Sequence, residues 1–500
     1  MSPASPPDPA SLALPAHTRR RTLAVCLFAL LAAGAARAAE PPAARAVQAQ
    51  LAALCQNLPQ GAQVGLVVVD LATGQRWFEH DADTPLKPAS VLKLFTTAAA
   101  LDRFGPDFRY ETPLHLAGEE LWVIGSGDPG LGDERLLARH RRSLDQLFDE
   151  WAAGLTSRGV RSLQTLVLDD SIFDHEWRHP DWPADQSQAW YQAPVGGLTL
   201  NDNCLDARVV IRNGVIDLLL KPGLPDDFIE NKLRRGKAHQ VVVKRIGDAF
   251  EFTGVATRND DLSPTAVHNP TIFFGYSLKH ALERRGVSIR GDVVRRAIPA
   301  AALRDAPLIA TNLTPLSDVV WRSNTFSQNL FAECLVKSLA AYEPAGRREA
   351  NDGAARVRSS QPGSWPGGVS VMRATLERMG VELHGAVLRD GCGLSHQNRV
   401  TAAQVARLLE VMSRHAAAGV FRESLALAGG EEGSMKRRYG EPALRGRIRG
   451  KTGTIANVST LAGYATRPDG TTLAFAILTH GPVPDPLLPR ICRVLVAAGT

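Results

Sequence analysis

Ser90 and Lys93 stand three residues apart in "LKPASVLKLFTTAAAL", Leu86 to Leu101. Pro88 suits a helix start, and neither proline nor glycine recurs until Gly105, so the stretch reads as a helix opening near Ser90. Residues three apart share a helix face, which brings the Lys93 amine to the Ser90 hydroxyl. The free N–H groups and dipole at a helix start favour negative charge, as a serine needs when its attack on a carbonyl creates an oxyanion. Val91, Leu92, Leu94, Phe95, Ala98 and Ala99 make the helix apolar nearly all round, so it is expected to be buried. A buried lysine gives up its proton readily and then serves as a base toward serine. Taken alone, the pattern favours an N-capping serine and a snorkelling lysine.

Two more stretches carry compatible chemistry. Ser327-Gln328-Asn329 is the one Ser-x-Asn of the chain, inside "RSNTFSQNLFAECL". Residues two apart do not share a helix face, so both side chains reach one cleft only from a turn between helices, and the poor helix formers here supply one. A plain capping turn is the alternative. Lys451-Thr452-Gly453, also unique, lies in a β-like run; its lysine and threonine can hold a carboxylate, and its glycine lets another backbone come close. A solvated edge-strand lysine is the alternative there.

The elements that must position these groups come from both ends of the chain. A helix-like stretch, Ala43 to Leu58, precedes a hairpin: Gln63 to Leu71, a turn at Ala72-Thr73-Gly74, then Gln75 to Glu79. "LRGRIRGKTGTI" and a hairpin turning at Pro468-Asp469-Gly470 lie near the C-terminus, with helical stretches around Leu316 to Ala341, Val369 to Met379 and Thr401 to Ala417. The expected fold is α+β: one antiparallel sheet assembled from residues 39–110 and 301–500, with helices on both faces. Residues 111–300 read as a mostly β insertion of two subdomains, and Gly346 to Gly368 as a polar, Gly-rich loop.

Ser-x-x-Lys, Ser-x-Asn and Lys-Thr-Gly in this order form the signature set of serine β-lactamases and penicillin-binding proteins. The chain resembles the low-molecular-mass class C penicillin-binding proteins, the D-alanyl-D-alanine carboxypeptidase/endopeptidase family, over nearly its whole length. "GSGDPGL" at Gly125, "LVLDDSIFD" at Leu166, "APVGGLTLNDNC" at Ala193, "DGCGLS" at Asp390 and "GRIRGKTGTIANVSTLAGYA" at Gly446 resemble that family's blocks, and the 237-residue gap from Ser90 to Ser327 matches its large insertion. The resemblance implies a serine β-lactamase/transpeptidase-like domain and a DD-carboxypeptidase or DD-endopeptidase acting on peptidoglycan stem peptides and cross-links. It implies acylation of Ser90 by substrate and by β-lactams, with Lys93 as base and Ser327 as proton relay. Asn329, Lys451, Thr452, Gly453 and Thr454 would bind substrate, and the Ser90 and Thr454 N–H groups would form the oxyanion hole. Neither cofactor nor metal is expected. Gln328 departs from a common aspartate, and Cys392 from the usual serine, the latter adding an oxidisable group to a conspicuous loop.

Other features bound the reading. Arg19, Arg20 and Arg21, a short apolar run and Ala36-Arg37-Ala38 read as a signal peptide over 1–38, so export to the periplasm or cell envelope is expected. Its removal lowers the net charge from +6 to +3, since Arg19, Arg20, Arg21, Arg37 and Asp8 leave with it. No basic stripe interleaved with aromatics points to nucleic acid. Cys55, Cys204, Cys334, Cys392 and Cys492 form no C-x-x-C pair, and an odd number leaves at least one unpaired. Gly125-Ser126-Gly127-Asp128-Pro129-Gly130 matches a dinucleotide fingerprint but lacks the acid ending a second strand at the right distance, since Asp149 and Glu150 fall in a helical stretch. Asp169, Asp170, Asp174 and Glu176 offer either a site for a cationic substrate end or, preferably, turn and cap residues.

Overall fold

Runs such as "GLVVVD" and "LAFAIL" are apolar without alternation, which requires strands covered on both faces. A computed structural model of the protein describes residues 42–344 and 358–497 and shows how this is met. Six strands, Ala426–Leu427, Ile448–Ile455, Val458–Thr466, Thr472–His480, Gln63–Asp70 and Arg76–His80, lie side by side in that order, every pair antiparallel. The N-terminal strand docks on the C-terminal hairpin with Val67 opposite Ala476. Val64, Leu66 and Val68 face a core shared with helices Pro42–Gln56 and Leu487–Val496. Val67 and Val69 face the opposite core, shared with helices Lys93–Phe104, Asn329–Ala341 and Ala402–Arg414.

Between the chain ends lies a second sheet with its own core. Its order is Val293–Arg295, Thr165–Asp169, Glu120–Ile124, Arg109–Ala117 and Leu308–Pro315. The first three strands are parallel and the last two antiparallel to their neighbours. Leu308–Pro315, although beyond residue 300, therefore belongs to this second sheet. Helix Leu144–Thr156 makes the parallel crossover, and helix Pro270–Glu283 packs on the same core. Smaller sheets pair Cys204–Arg212 with Val215–Lys221, and Ala249–Val255 with Gln240–Ile246 and Ile229–Arg234. The crossover supplies a βαβ unit, but the "GSGDPG" glycines are filled from within. A Cβ at Gly125 would lie 2.4 Å from Gly197 O, and one at Gly127 2.3 Å from the Phe173 ring. They permit close packing rather than a phosphate.

The stretch Leu316 to Ala341 is two helices, Leu316–Thr325 and Asn329–Ala341, broken at the Ser-x-Asn residues. The helix expected from Val369 starts earlier, at Trp365, capped by Ser364 with Pro366 in its first turn. Gly368 lies within this helix, and a Cβ there would stand 2.0 Å from Val336 O. The glycine serves a close helix crossing and not the expected loop. Residues 346–357 of that loop, and the expected signal peptide, lie outside the described residues. Cys55, Cys204, Cys334, Cys392 and Cys492 are all buried free thiols. Among the described residues no helix is long and apolar enough to cross a membrane.

Candidate active site

Ser90 sits in a 3-10 turn, Ala89–Leu92, that runs into helix Lys93–Phe104. Ala89 has φ +46°, rare for a residue with a side chain. Three neighbours hold the turn there. Gly393 presses on Ala89, where a Cβ would come 1.8 Å from its carbonyl oxygen. At Gly453 a Cβ would stand 2.8 Å from Ser90 N and 3.0 Å from Pro88 O. Thr460 Oγ1 donates to Pro88 O at 2.8 Å. The Lys-Thr-Gly glycine thus lies directly against the Ser90 backbone. No side chain caps this helix start, so Ser90 is not an N-cap.

Lys93 does not snorkel. It is fully buried, and its Nζ lies 3.0 Å from Ser90 Oγ, 2.7 Å from Asn329 Oδ1 and 3.0 Å from Cys392 O. All three oxygens are uncharged. Burial holds the amine below the ordinary lysine range, against the attraction of the Glu333 and Asp390 carboxylates. Lys451 is equally buried and donates to Ser327 Oγ at 2.8 Å and Thr452 O at 2.7 Å. Burial, reinforced by the nearby Lys93, pushes it well below that range.

Ser327 has φ +62° at the break between the two helices, and Asn329 opens the second. Asn329 Nδ2 donates to Tyr191 O at 2.8 Å. Thr452 is half-buried and Thr454 exposed, on strand Ile448–Ile455 either side of Gly453. The structure therefore gathers Ser90, Lys93, Ser327, Asn329 and the 451–454 strand around one cleft. Residues more than two hundred positions apart come within hydrogen-bond distance there.

Glu333 escaped the sequence reading. It lies one helical turn after Asn329, fully buried, and its carboxylate accepts from Cys392 N and Trp365 Nε1, each at 2.7 Å, and from Gly391 N. These bonds fix the loop whose Cys392 carbonyl faces Lys93. Burial and nearby Asp390 push the Glu333 carboxyl up, and the N–H donors oppose them. Asp390 ties the same loop from within, accepting from Gly393 N, Ser395 N and Asn398 Nδ2. Lys337 follows one further turn on. The signal was present: Asn329, Glu333 and Lys337 are polar at spacing four in a mostly apolar helix. Cys392 is buried rather than displayed, and burial pushes its thiol well up, so it stays protonated. The Glu333, Asp390 and Cys392 donor atoms lie within 4.8 Å of one another, but N–H groups already occupy both carboxylates. Of the insertion's acids, Asp169 accepts from Ser171 N, Asp170 pairs with Arg295 and Asp174 with Lys337, so these serve turns and ion pairs.

The model of the D-Ala-D-Ala carboxypeptidase 3 (S13) family matches residues 47–493. The chain belongs to that family. It is a low-molecular-mass class C penicillin-binding protein and a serine-type DD-peptidase. A D-alanyl-D-alanine carboxypeptidase of Actinomadura sp. (strain R39) is 32% identical over 458 residues, covering 84% of this chain and 78% of that protein. The D-alanyl-D-alanine carboxypeptidase DacB of Haemophilus influenzae is 24% identical over 453 residues, covering 86% of this chain and 87% of that one. The crystal structure of penicillin binding protein 4 from H. influenzae superposes with a TM-score of 0.69 at 22% identity, covering 89% of this chain and 97% of that one. The S13 chain thus has the α+β transpeptidase-like fold with an inserted, strand-rich region.

Proposed function

We propose that Ser90 is the nucleophile that attacks the D-Ala-linked peptide carbonyl of peptidoglycan stem peptides, with Lys93 as its base. The observation that carries this is the set of three oxygens around Lys93 Nζ. A neutral amine has two N–H groups and one lone pair. Asn329 Oδ1 and Cys392 O can only accept, so they take the two N–H groups. The lone pair is left to Ser90, whose hydroxyl is the one group of the three that can donate. Full burial disfavours the charged amine, which is the direction a base toward Ser90 requires.

As the Ser90 Oγ–carbonyl bond forms, the hydroxyl proton passes to Lys93 Nζ. The peptide C–N bond then breaks, and the proton held on Lys93 passes through Ser327 to the leaving amine, which leaves Lys93 neutral again. Lys451 supports Ser327, and Lys451 and Thr452 hold the terminal carboxylate. Asn329 holds the substrate amide, and the Ser90 and Thr454 N–H groups stabilise the oxyanion. Water releases the acyl group. A leaving D-Ala makes the reaction a carboxypeptidase step, and a cross-link amine makes it an endopeptidase step. β-Lactams acylate Ser90 by the same route. The protein works on murein outside the cytoplasm after cleavage near Ala38.

Mass spectrometry after penicillin exposure tests the assignment. A persistent adduct on the Ser90 peptide, absent in Ser90→Ala, is expected. An adduct elsewhere sinks the nucleophile assignment, and rapid penicillin turnover without an adduct favours a β-lactamase.

A further inference from the structure

Ser327 carries the proton relay in the reading above, yet it sits in a left-handed conformation that a serine does not hold by itself. Something must fix the Ser327–Asn329 turn. Within the turn, Gln328 is buried and uses both ends of its amide. Its Oε1 accepts from Asn329 N at 3.0 Å, capping the helix, and its Nε2 donates to Asp202 Oδ2 at 2.5 Å. Asp202 comes from the inserted region. It is held in turn by Arg322 Nη2 at 2.9 Å, and Arg322 Nε donates to Asp133 at 2.8 Å. Arg322 is buried and lies on the helix just before the turn.

Asp202 is itself aimed by an unusual backbone. Asn201, Asp202 and Asn203 have φ of +50°, +57° and +51° in succession. Asn201 Nδ2 donates to Cys204 O, and Asn203 Nδ2 to Pro194 O at 2.8 Å, so the turn is tied on both sides. Tyr191 O, a second group from the insertion, receives Asn329 Nδ2 on the other flank. The insertion grips the catalytic turn at two points.

We infer that Gln328 and Asp202 form a positioning pair through which the inserted region sets the Ser327–Asn329 turn for acylation. The inference rests on the Ser327 and Asn329 roles proposed above. It also accounts for the departure at position 328. Asp202 already lies beside Asp133, and the two acids share Arg322; an aspartate or glutamate at 328 would add a third carboxylate around that one guanidinium. Glutamine offers one donor to the insertion and one acceptor to the helix. A carboxylate can only accept.

The test is an exchange of charge across the pair, read as the limiting rate of penicillin acylation of the full chain, with thermal unfolding as a fold control. Gln328→Glu is isosteric and sets two carboxylates face to face; it should slow acylation by about tenfold or more. Adding Asp202→Asn restores one amide opposite one carboxylate, and the double variant should recover to within about threefold of the wild type. Wild-type acylation by Gln328→Glu, or a double variant no faster than the single, overturns the inference. If Gln328→Glu does not fold, the cycle of Gln328→Ala and Asp202→Ala replaces it: coupled losses support the pair, and independent losses overturn it. A wild type without a Ser90 adduct would instead remove the proposed function, so the two failures are distinct.

Discussion

Lys93 and Lys337 are both fully buried, but their surroundings differ in charge. Lys93 faces three neutral oxygens. Lys337 donates to Asp174 Oδ1 at 2.6 Å and Glu176 O at 2.7 Å, with its ammonium 4.0 Å from the Trp365 ring centre. Burial lowers both amines, but at Lys337 the Asp174 carboxylate pulls back directly. A counter-ion and an aromatic face keep a charge in place. Oxygens without charge provide geometry and leave the proton easy to lose. One helix, Asn329–Ala341, serves both: Asn329 reaches the reacting pair, Glu333 sets the loop behind it, and Lys337 binds the inserted region. Lys93 is placed as the proposed base, whereas Lys337 joins two parts of the fold.

Substitutions at the two lysines test that contrast most directly. Lys93→Met should lower penicillin acylation by about 10³-fold, the usual scale of a lost general base, while Lys337→Met should still label Ser90. Rapid-quench labelling compares them. If Lys337→Met loses labelling equally while remaining folded, the division between the two lysines fails.

The pH dependence separates them next. Lys93 acts as a base only when neutral, so acylation should be slow at pH values below its lowered pKa, rise through it and level off above. The stability sign follows from the same shift. With the folded-state pKa below the unfolded one, the unfolded chain binds more protons in the window between them, so stability rises with pH there. Lys93→Met should reduce that slope in denaturant titrations, leaving the part contributed by Lys451 and Lys337, which burial lowers as well. An unchanged slope would show that Lys93 keeps its ordinary pKa.

Glu333→Gln should slow acylation by roughly tenfold, because the Gly391 and Cys392 N–H groups lose a charged acceptor and the Cys392 carbonyl drifts from Lys93. Lys337→Met, in contrast, should cost about 2 kcal/mol of stability by leaving Asp174 unpaired, measurable by chemical denaturation. The smallest effect is expected for Cys392→Ser. The loop is held by its backbone, so acylation should change by less than about threefold, and the native protein should react slowly with thiol reagents.

Much of the fold was legible because local patterns carried it. Unbroken apolar runs at the two chain ends implied strands buried on both faces, and the structure pairs Gln63–Asp70 with Thr472–His480 as neighbouring interior strands of one sheet. Glycines misled where their purpose was tertiary. Gly367 and Gly368 look like a loop in sequence, yet Gly368 lies within a helix, where another helix passes close to it. The place of strand Leu308–Pro315 was not legible because its partner, Arg109–Ala117, comes from the opposite end of the insertion in sequence. Glu333 was unread because a lone acid in an apolar helix does not announce its acceptors, which come from positions 365, 391 and 392.

Within the cleft the division is similar. Residue types and spacing determined that Ser90 and Lys93 meet, since three residues along a helical turn leave few other options. They also determined that the chain carries a serine, an asparagine and a second lysine suited to the same reaction. The tertiary structure decided what those groups can do. The oxygens around Lys93 come from positions 329 and 392, and the glutamine beside Ser327 is bonded to the insertion's Asp202. Proton affinity is set by the whole surroundings of a buried group, and contacts across hundreds of residues leave no local period in the sequence.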